Sequence, residues 1–333
     1  MAVDPKNYNK NFNGLSRAEF LASSSVSGFY HKDSELGSRA NYSSGNLRVS
    51  LLDTCNENCF FCYNEGMEIE HNNLDPDDLE VILGSIHTRI NQIKLVGGEP
   101  LIHKQLDRIA TIAQKYKPTS ITTNGLLIDK WLDHLSKMES VTVSIHSMDH
   151  EDYNTIVQRK GALLNRVLGN ISLLREKGYQ NIKINTVLTK RTIDNIEDVI
   201  KFAANNGIPQ VNLLSLLTMN ESDRHNFVSP VNIEKQFDEQ YQSEIVTTTR
   251  KRYFVSKDTV VDMVWQYCMV GCDVCRKDGF IRLLPDLKFS YCLAEGANVS
   301  VSDEVERQDF EGIRNKFEKA VSMMGKPVAY ENE

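Results

Sequence analysis

Leu51-Leu52-Asp53-Thr54-Cys55-Asn56-Glu57-Asn58-Cys59-Phe60-Phe61-Cys62-Tyr63 places three cysteines within eight residues, directly after the apolar run Leu47 to Leu52. Spacing this tight lets three thiolates from one loop grip one inorganic centre, with one ligand position left for a group the loop does not supply. Three thiolates hold three irons of a [4Fe–4S] cube in this way. The alternative is a structural zinc site completed by a distant ligand. Phe60 and Phe61 fill the core on one reading. On the other, Phe61, beside the last cysteine, packs on a planar ligand of the open iron.

Working outward, the apolar run before the cysteines is the first of six strand candidates: Leu47 to Leu52, Gln92 to Val96, Ser120 to Thr123, Val141 to Ile145, Ile182 to Val187 and Val211 to Leu214. Amphipathic helical patterns lie between them. Leu79, Ile82, Leu83, Ile86 and Ile90 share one face; Leu163, Leu164, Val167, Leu168 and Ile171 repeat the pattern, as do Ile193, Ile196, Ile200 and Ala203. Strands alternating with helices imply parallel pairing through right-handed crossovers. A closed eight-stranded barrel needs more units than the sequence shows, so the expected fold is α/β: a partial (β/α)6, TIM-like barrel with a C-terminal auxiliary-cluster extension. Function is expected at the C-terminal ends of its strands, because the polar clusters at Asp53 to Cys62, Gly97 to Pro100, Thr122 to Gly125, Ser144 to His146 and Asn185 all end or follow a strand.

The expected division is an irregular arm over 1–45, rich in Ser, Asn and Gly, a barrel over 46–230 and a cluster-bearing region with a closing helix over 231–333. In the last region Val231 to about Thr247 reads as a helix. Phe280 to Leu284 and Lys288 to Cys292 read as a hairpin, and Asp309 to Met324 as a final helix.

The 333 residues carry a net charge of −7, which argues against a polybasic nucleic-acid surface but leaves room for a local basic pocket. No apolar run is long enough to span a bilayer and Met1 to Phe12 lacks an apolar signal region, so a cytoplasmic address is expected. Thiols stay reduced there, and seven cysteines fit metal or redox chemistry better than a disulfide framework.

The cysteines divide into three plus four: Cys55, Cys59 and Cys62, then Cys272 and Cys275 with Cys292 after sixteen intervening residues and Cys268 just upstream. The second set reads as an auxiliary [4Fe–4S] cluster or as a four-thiolate zinc ribbon. Cys268 is either its fourth ligand or a buried thiol. Gly97-Gly98-Glu99-Pro100 permits close backbone approach to a ligand, with Glu99 able to accept from an ammonium. Arg48, Tyr63, His103 and Arg282 are candidates for lining a substrate pocket.

The CxxxCxxC spacing with an aromatic before the last cysteine, after a first strand, resembles the radical S-adenosylmethionine superfamily. That resemblance implies that S-adenosylmethionine chelates the unique iron and that reduction of the cluster releases a 5′-deoxyadenosyl radical. It assigns Gly97, Gly98 and Glu99 to the methionyl amino group, Phe61 to the adenine, and Ser144 and Asn185 to ribose or carboxylate. Thr123 belongs to a shared Thr-Thr-Asn-Gly segment. An electron donor such as flavodoxin or ferredoxin, a small-molecule substrate, and neither membrane nor nucleic acid as partner are implied as well. Leu47-Arg48-Val49-Ser50, Val96 to Leu101, Thr122 to Leu126, Lys183 to Val187 and the CxxC…Cys292-Leu293 ending narrow the likeness to the GTP 3′,8-cyclase family of molybdenum-cofactor biosynthesis.

Departures qualify that likeness. His103 and Phe280 stand where the family usually has arginine, and Tyr330-Glu331-Asn332-Glu333 stands where it usually ends in Gly-Gly. The expected activity is therefore hydrogen abstraction from a small polar biosynthetic metabolite, nucleoside- or sugar-like. A divergent GTP cyclase and a ribosomal-peptide-modifying enzyme are the alternatives within the superfamily. A structural zinc-binding interaction protein is the alternative outside it.

Overall fold

The computed structural model describes residues 45–217, 221–266, 272–293 and 296–325. Twelve strands form one sheet: β1 Asn46–Ser50, β2 Gln92–Val96, β3 Thr119–Thr123, β4 Val141–Ser144, β5 Ile182–Leu188, β6 Gln210–Ser215, β7 Gln242–Thr247, β8 Arg250–Phe254, β9 Val260–Val264, β10 Ile281–Leu284, β11 Lys288–Cys292 and β12 Ala297–Ser300. Their order is β12-β11-β10-β1-β2-β3-β4-β5-β6-β9-β8-β7. Every pairing from β10 through β1 to β6 and on to β9 is parallel. The outer pairs are antiparallel. The result is a partial TIM-like barrel, open between its two edge strands.

Strand residues of one parity, including Leu47, Val49, Ile93, Leu95, Val141, Val143, Ile184, Val211, Leu213, Val261 and Met263, are completely buried. They face the helices α1 Pro76–Ile86, α2 Leu106–Tyr116, α3 Ile128–Leu135, α4 His150–Ile156, α5 Leu163–Glu176, α6 Ile196–Asn205, α7 Glu221–Asn226 and α8 Pro230–Gln240. Residues of the other parity, among them Arg48, Lys94, Thr122, Lys183, Asn185, Asn212, Asp262 and Arg282, line the concave side. A polar lumen and an apolar outer layer thus follow from one alternation. Helix starts are marked locally: Asp75 caps α1 by accepting from Asp77 N at 2.8 Å, with Pro76 at the first helical position.

The six expected strands are present to within a residue or two. The C-terminal region departs from expectation. The helix expected through Thr247 stops at Gln240, because Tyr241 turns extended and the β-branched run that follows pairs with β8. Residues 242–247 are exposed on both faces and so carry no burial period to read. Strand β9 was not anticipated; it lies parallel to β6 after an antiparallel hairpin rather than a helix, and β10 docks parallel to β1. Three further helices complete the described residues: α9 Cys272–Asp278, α10 Ser302–Glu306 and α11 Phe310–Met323. Among the described residues no helix is long and apolar enough to cross a membrane.

Helix α11 buries Ile313, Phe317 and Ala320, and Phe317 meets Phe289 of β11 edge to face at 5.2 Å. This helix is part of the core rather than an appendage. Phe317→Ala should therefore cost about 3–5 kcal/mol in urea unfolding; a loss below about 1 kcal/mol would show the packing to be dispensable.

Candidate active site

The cysteine loop leaves β1 at the C-terminal end of the sheet and is held from two sides. Asn58 N donates to Val157 O at 3.0 Å and Phe60 N to Ile156 O at 3.1 Å, tying the loop to the end of α4, while Arg159 Nε reaches Asn56 O at 3.1 Å. On the other side Gly98 N donates to Leu52 O at 2.8 Å and Glu99 N to Thr54 O at 2.9 Å. A Cβ on Gly98 would sit 1.8 Å from Thr54 O, and Gly97 has φ +139° with a Cβ position 2.7 Å from Leu52 O. Only glycine permits this approach.

Within the loop, Glu57 N donates to Cys55 Sγ and Asn64 N to Cys62 Sγ, each at 3.4 Å. Burial pushes the Cys55 thiol up to about 12 and raises Cys59 and Cys62, with neighbouring carboxylates adding to the effect. Three such thiols ionise together only when a cationic centre binds them. Glu57, between the first two, is itself pushed up to about 8 by burial and by Glu99. Among the described residues no three His, Cys, Asp or Glu side chains close around a single point. A cube presents three irons at separate corners, and the loop's thiols with their N–H donors fit that demand.

Glu99 is 1% exposed. Its Oε1 accepts from Thr123 Oγ1 at 2.6 Å and Leu101 N at 3.0 Å, and its Oε2 from Asn124 N at 2.7 Å. Oε1 is saturated, whereas Oε2 keeps one lone pair for a further donor. Burial pushes the carboxyl up to about 7 against these three bonds. Asn124 also joins the cysteine loop, its Nδ2 donating to Asn56 Oδ1 at 2.7 Å. Gly97, Gly98, Glu99 and Thr123 are thus gathered against the cysteines.

Ser144 ends β4, whereas its register partner Asn185, expected at a strand end, lies in the middle of β5 because that strand runs on to Leu188; both are half-buried on the lumen side. Asn185 Oδ1 accepts from Asn212 Nδ2 at 2.8 Å. Phe61 packs edge-on to His146 at 4.9 Å; His146 accepts from Val187 N at 3.2 Å and burial holds it near 4, so its ring stays neutral.

Arg48, Tyr63 and Arg282 meet at a residue the sequence did not single out, Glu65. Its Oε1 takes Arg48 Nη1 at 3.2 Å and Tyr63 Oη at 3.1 Å, and its Oε2 takes Arg282 Nε at 2.8 Å. Burial pushes Glu65 upward, but the two guanidiniums outweigh it and hold the carboxyl below its usual range. Phe280 lies beneath both arginines, 4.2 Å from Arg48 Cζ and 4.5 Å from Arg282 Cζ. His103 lies elsewhere, buried, its Nδ1 accepting from Gln105 N at 3.2 Å. Cys272 and Cys275 share one face of α9 one turn apart, and Cys292 ends β11. Cys268 lies outside the described residues.

The lumen also holds cations that sequence reasoning missed: Lys94, Lys183, Arg250 and Arg252. Their signal was a basic residue at a period-2 position inside an otherwise apolar strand, as in Gln92-Ile93-Lys94-Leu95-Val96. Burial, then Arg48, Lys183 and Arg250, push Lys94 down to about 7.

Residues 49–203 match the family model described as Radical SAM superfamily. The chain is 29% identical over 306 residues to the probable GTP 3′,8-cyclase of Sulfurisphaera tokodaii, covering 86% of this chain and 95% of the relative. It is 35% identical over 164 residues to that of Thermoplasma volcanium, covering 47% and 50%. Among solved structures, Streptococcus suis SuiB bound to S-adenosylmethionine superimposes at TM-score 0.63 with 16% identity, over 84% of this chain and 68% of that one. Native anSMEcpe with bound AdoMet does so at 0.55 and 16%, over 85% and 84%. These two likenesses bear on the fold alone.

The lowered Lys94 has a defined consequence for stability. Its ammonium is disfavoured in the folded state, so the unfolded chain binds more protons between the folded value near 7 and the ordinary value of 10.5. The resulting penalty is full below pH 7 and fades as pH rises to 10.5. Lys94→Met should be more stable than the parent at pH 7, with an advantage that shrinks toward pH 10 in urea unfolding; a pH-independent difference would contradict the lumen electrostatics.

Proposed function

We propose, on the premise that this chain belongs to the radical SAM superfamily, that it abstracts hydrogen from a small anionic metabolite, nucleoside- or sugar-like, held in the lumen. The observation that carries the reading is the junction of the cysteine loop with Gly97 to Glu99, next to a lumen that holds more cations than anions. When bound at Cys55, Cys59 and Cys62, a [4Fe–4S] cluster with S-adenosylmethionine supplies a carbon radical able to take hydrogen from an unactivated C–H bond.

The chain's own residues bind and orient. Glu99 Oε2 has the free acceptor position for an ammonium, and the Gly97-Gly98 backbone, packed on Leu52 O and Thr54 O, holds it beside the cysteine loop. Ser144 Oγ and Asn185 Nδ2 offer polar contacts on the concave side. Phe61, fixed by His146, presents an apolar wall for a flat ring system. The lumen keeps the reacting carbon away from bulk water, with Arg48, Arg282 and Lys94 attracting a negatively charged substrate.

Cys272, Cys275 and Cys292, with Cys268, are proposed to hold an auxiliary cluster near β10 and β11. Reduction by a flavodoxin- or ferredoxin-like donor belongs to the same proposal. Cyclisation of GTP is the second reading, favoured by the relatives' descriptions and by the lumen cations Arg48, Lys94, Lys183 and Arg282.

Anaerobic reconstitution followed by reductant and S-adenosylmethionine tests both readings. The parent should contain iron and sulfide and form 5′-deoxyadenosine, and Cys55→Ala should abolish its formation. Two zincs and no sulfide would sink the enzyme reading. GTP-dependent stimulation with a cyclised product would select the second reading over the first. Gly98→Ala should weaken S-adenosylmethionine binding at least tenfold, about 1.4 kcal/mol, in equilibrium dialysis, because the methyl cannot share space with Thr54 O.

A further inference from the structure

Strands β8 and β9 carry a charge cluster that cofactor binding does not use. On β8, Tyr253 is completely buried, its ring 5.2 Å from Phe237 of α8. Strand alternation therefore turns Arg250 and Arg252 toward the concave side. Opposite Arg252 in register stands Asp262 of β9, which is 0% exposed. Asp262 Oδ1 accepts from Arg252 Nε at 2.7 Å. Its Oδ2 accepts from Arg250 Nη1 at 2.8 Å, Arg252 Nη2 at 3.0 Å and Gln210 Nε2 at 2.9 Å.

Oδ2 of the carboxylate is saturated, but the arginines are not. Arg252 Nη1 has only Glu244 Oε1 at 3.9 Å, and Arg250 has no acceptor for Nε or Nη2 among the described residues. Their side chains are 27% and 33% exposed, so these N–H groups are within reach of a lumen ligand.

The cluster shares a row with the cofactor-facing residues. Ser144, Asn185, Asn212, Asp262 and Arg252 are successive register partners across β4, β5, β6, β9 and β8. Hydrogen bonds run along that row: Asn212 Nδ2 to Asn185 Oδ1, then Gln210 Nε2 to both Asn212 Oδ1, at 2.7 Å, and Asp262 Oδ2. From β5 to β8 is three strand spacings, about 14 Å, and an arginine side chain reaching inward shortens that gap to the span of a phosphorylated sugar or nucleoside. Lys183 of β5 faces the same space, coupled to Arg250, Asp262 and Arg252. Asp262 offsets one of these three positive charges. Glu244, 3.9 Å from Arg252 Nη1, offsets part of a second, so the face stays cationic with guanidinium N–H groups left open to an anionic group.

We propose that Arg250 and Arg252, aligned by Asp262, form the receptor for a phosphate ester group on the substrate. Guanidiniums match phosphate oxygens in planar, paired geometry, and an alignment fixed by a buried carboxylate reduces the ordering cost of binding. Asp262 acts as a positioning residue. The proposal rests on the lumen being the substrate chamber.

Calorimetric titration of the cluster-loaded full chain with inorganic phosphate, and separately with acetate, tests it. Phosphate should bind saturably and at least tenfold more tightly than acetate. The Arg250→Gln/Arg252→Gln double variant should lose at least tenfold in phosphate affinity, while its melting temperature still rises with S-adenosylmethionine. Arg252→Lys, which keeps the charge and loses the fork, should fall between, and Asp262→Asn should weaken phosphate binding although both arginines remain. The exposed Arg108→Gln should bind phosphate as the parent does. Equal phosphate affinity in parent and double variant, or acetate binding as tightly as phosphate, overturns the receptor. Intact phosphate binding in a chain that forms no 5′-deoxyadenosine overturns the radical reading and leaves the receptor standing.

Discussion

The contact on which the site depends is the approach of the Gly97-Gly98 backbone to the strand-end carbonyls of Leu52 and Thr54. It joins the loop after β1 to the loop after β2 by two backbone hydrogen bonds. Through Glu99 it reaches Thr123 and Asn124 after β3, and through Asn124 it returns to Asn56 in the cysteine loop. Three successive strand ends are thereby fixed relative to one another before any ligand arrives. Such preorganisation matters for a loop whose thiols carry no compensating positive charge of their own.

Much of this was legible in sequence because it is local. Three cysteines in one loop, two glycines before a glutamate and six short apolar strands each declare themselves within a short window, and the structure places them accordingly. Glu65 was not legible for the opposite reason. Its meaning comes from Arg48, seventeen positions away, and Arg282, 217 positions away, which meet it only once β10 has docked beside β1. Phe280, read in sequence as an arginine lost, supplies the aromatic surface between two arginines.

The C-terminal region shows the same limit at the level of fold. A parallel strand normally follows a helix, and the sequence offers none between β8 and β9, only a short hairpin connection. Strand β9 earns its place by burying Val261 and Met263 against the outer layer while presenting Asp262 to the lumen. The apolar-polar-apolar triplet Val261-Asp262-Met263 was the only sign of this, and it is too short for a periodicity argument.

The lumen is therefore built by two populations of charge with different origins. Around Glu65, two arginines share one carboxylate at the β1 and β10 side; around Asp262, two more share another at the β8 and β9 side. Each carboxylate removes part of the repulsion that would otherwise oppose folding, and neither removes all of it. Lys94 and Lys183, between the two groups, feel the carboxylates of Glu65 and of Asp262 and Glu139 respectively, yet both are held below their ordinary range by burial and by neighbouring cations. A folded protein tolerates such an imbalance where something is gained by it. An anion entering this space would relieve the repulsion, favour the protonated lysines and bind with energy already invested in the fold. The polarity of the lumen, more than any one residue in it, would favour a charged ligand over a neutral one.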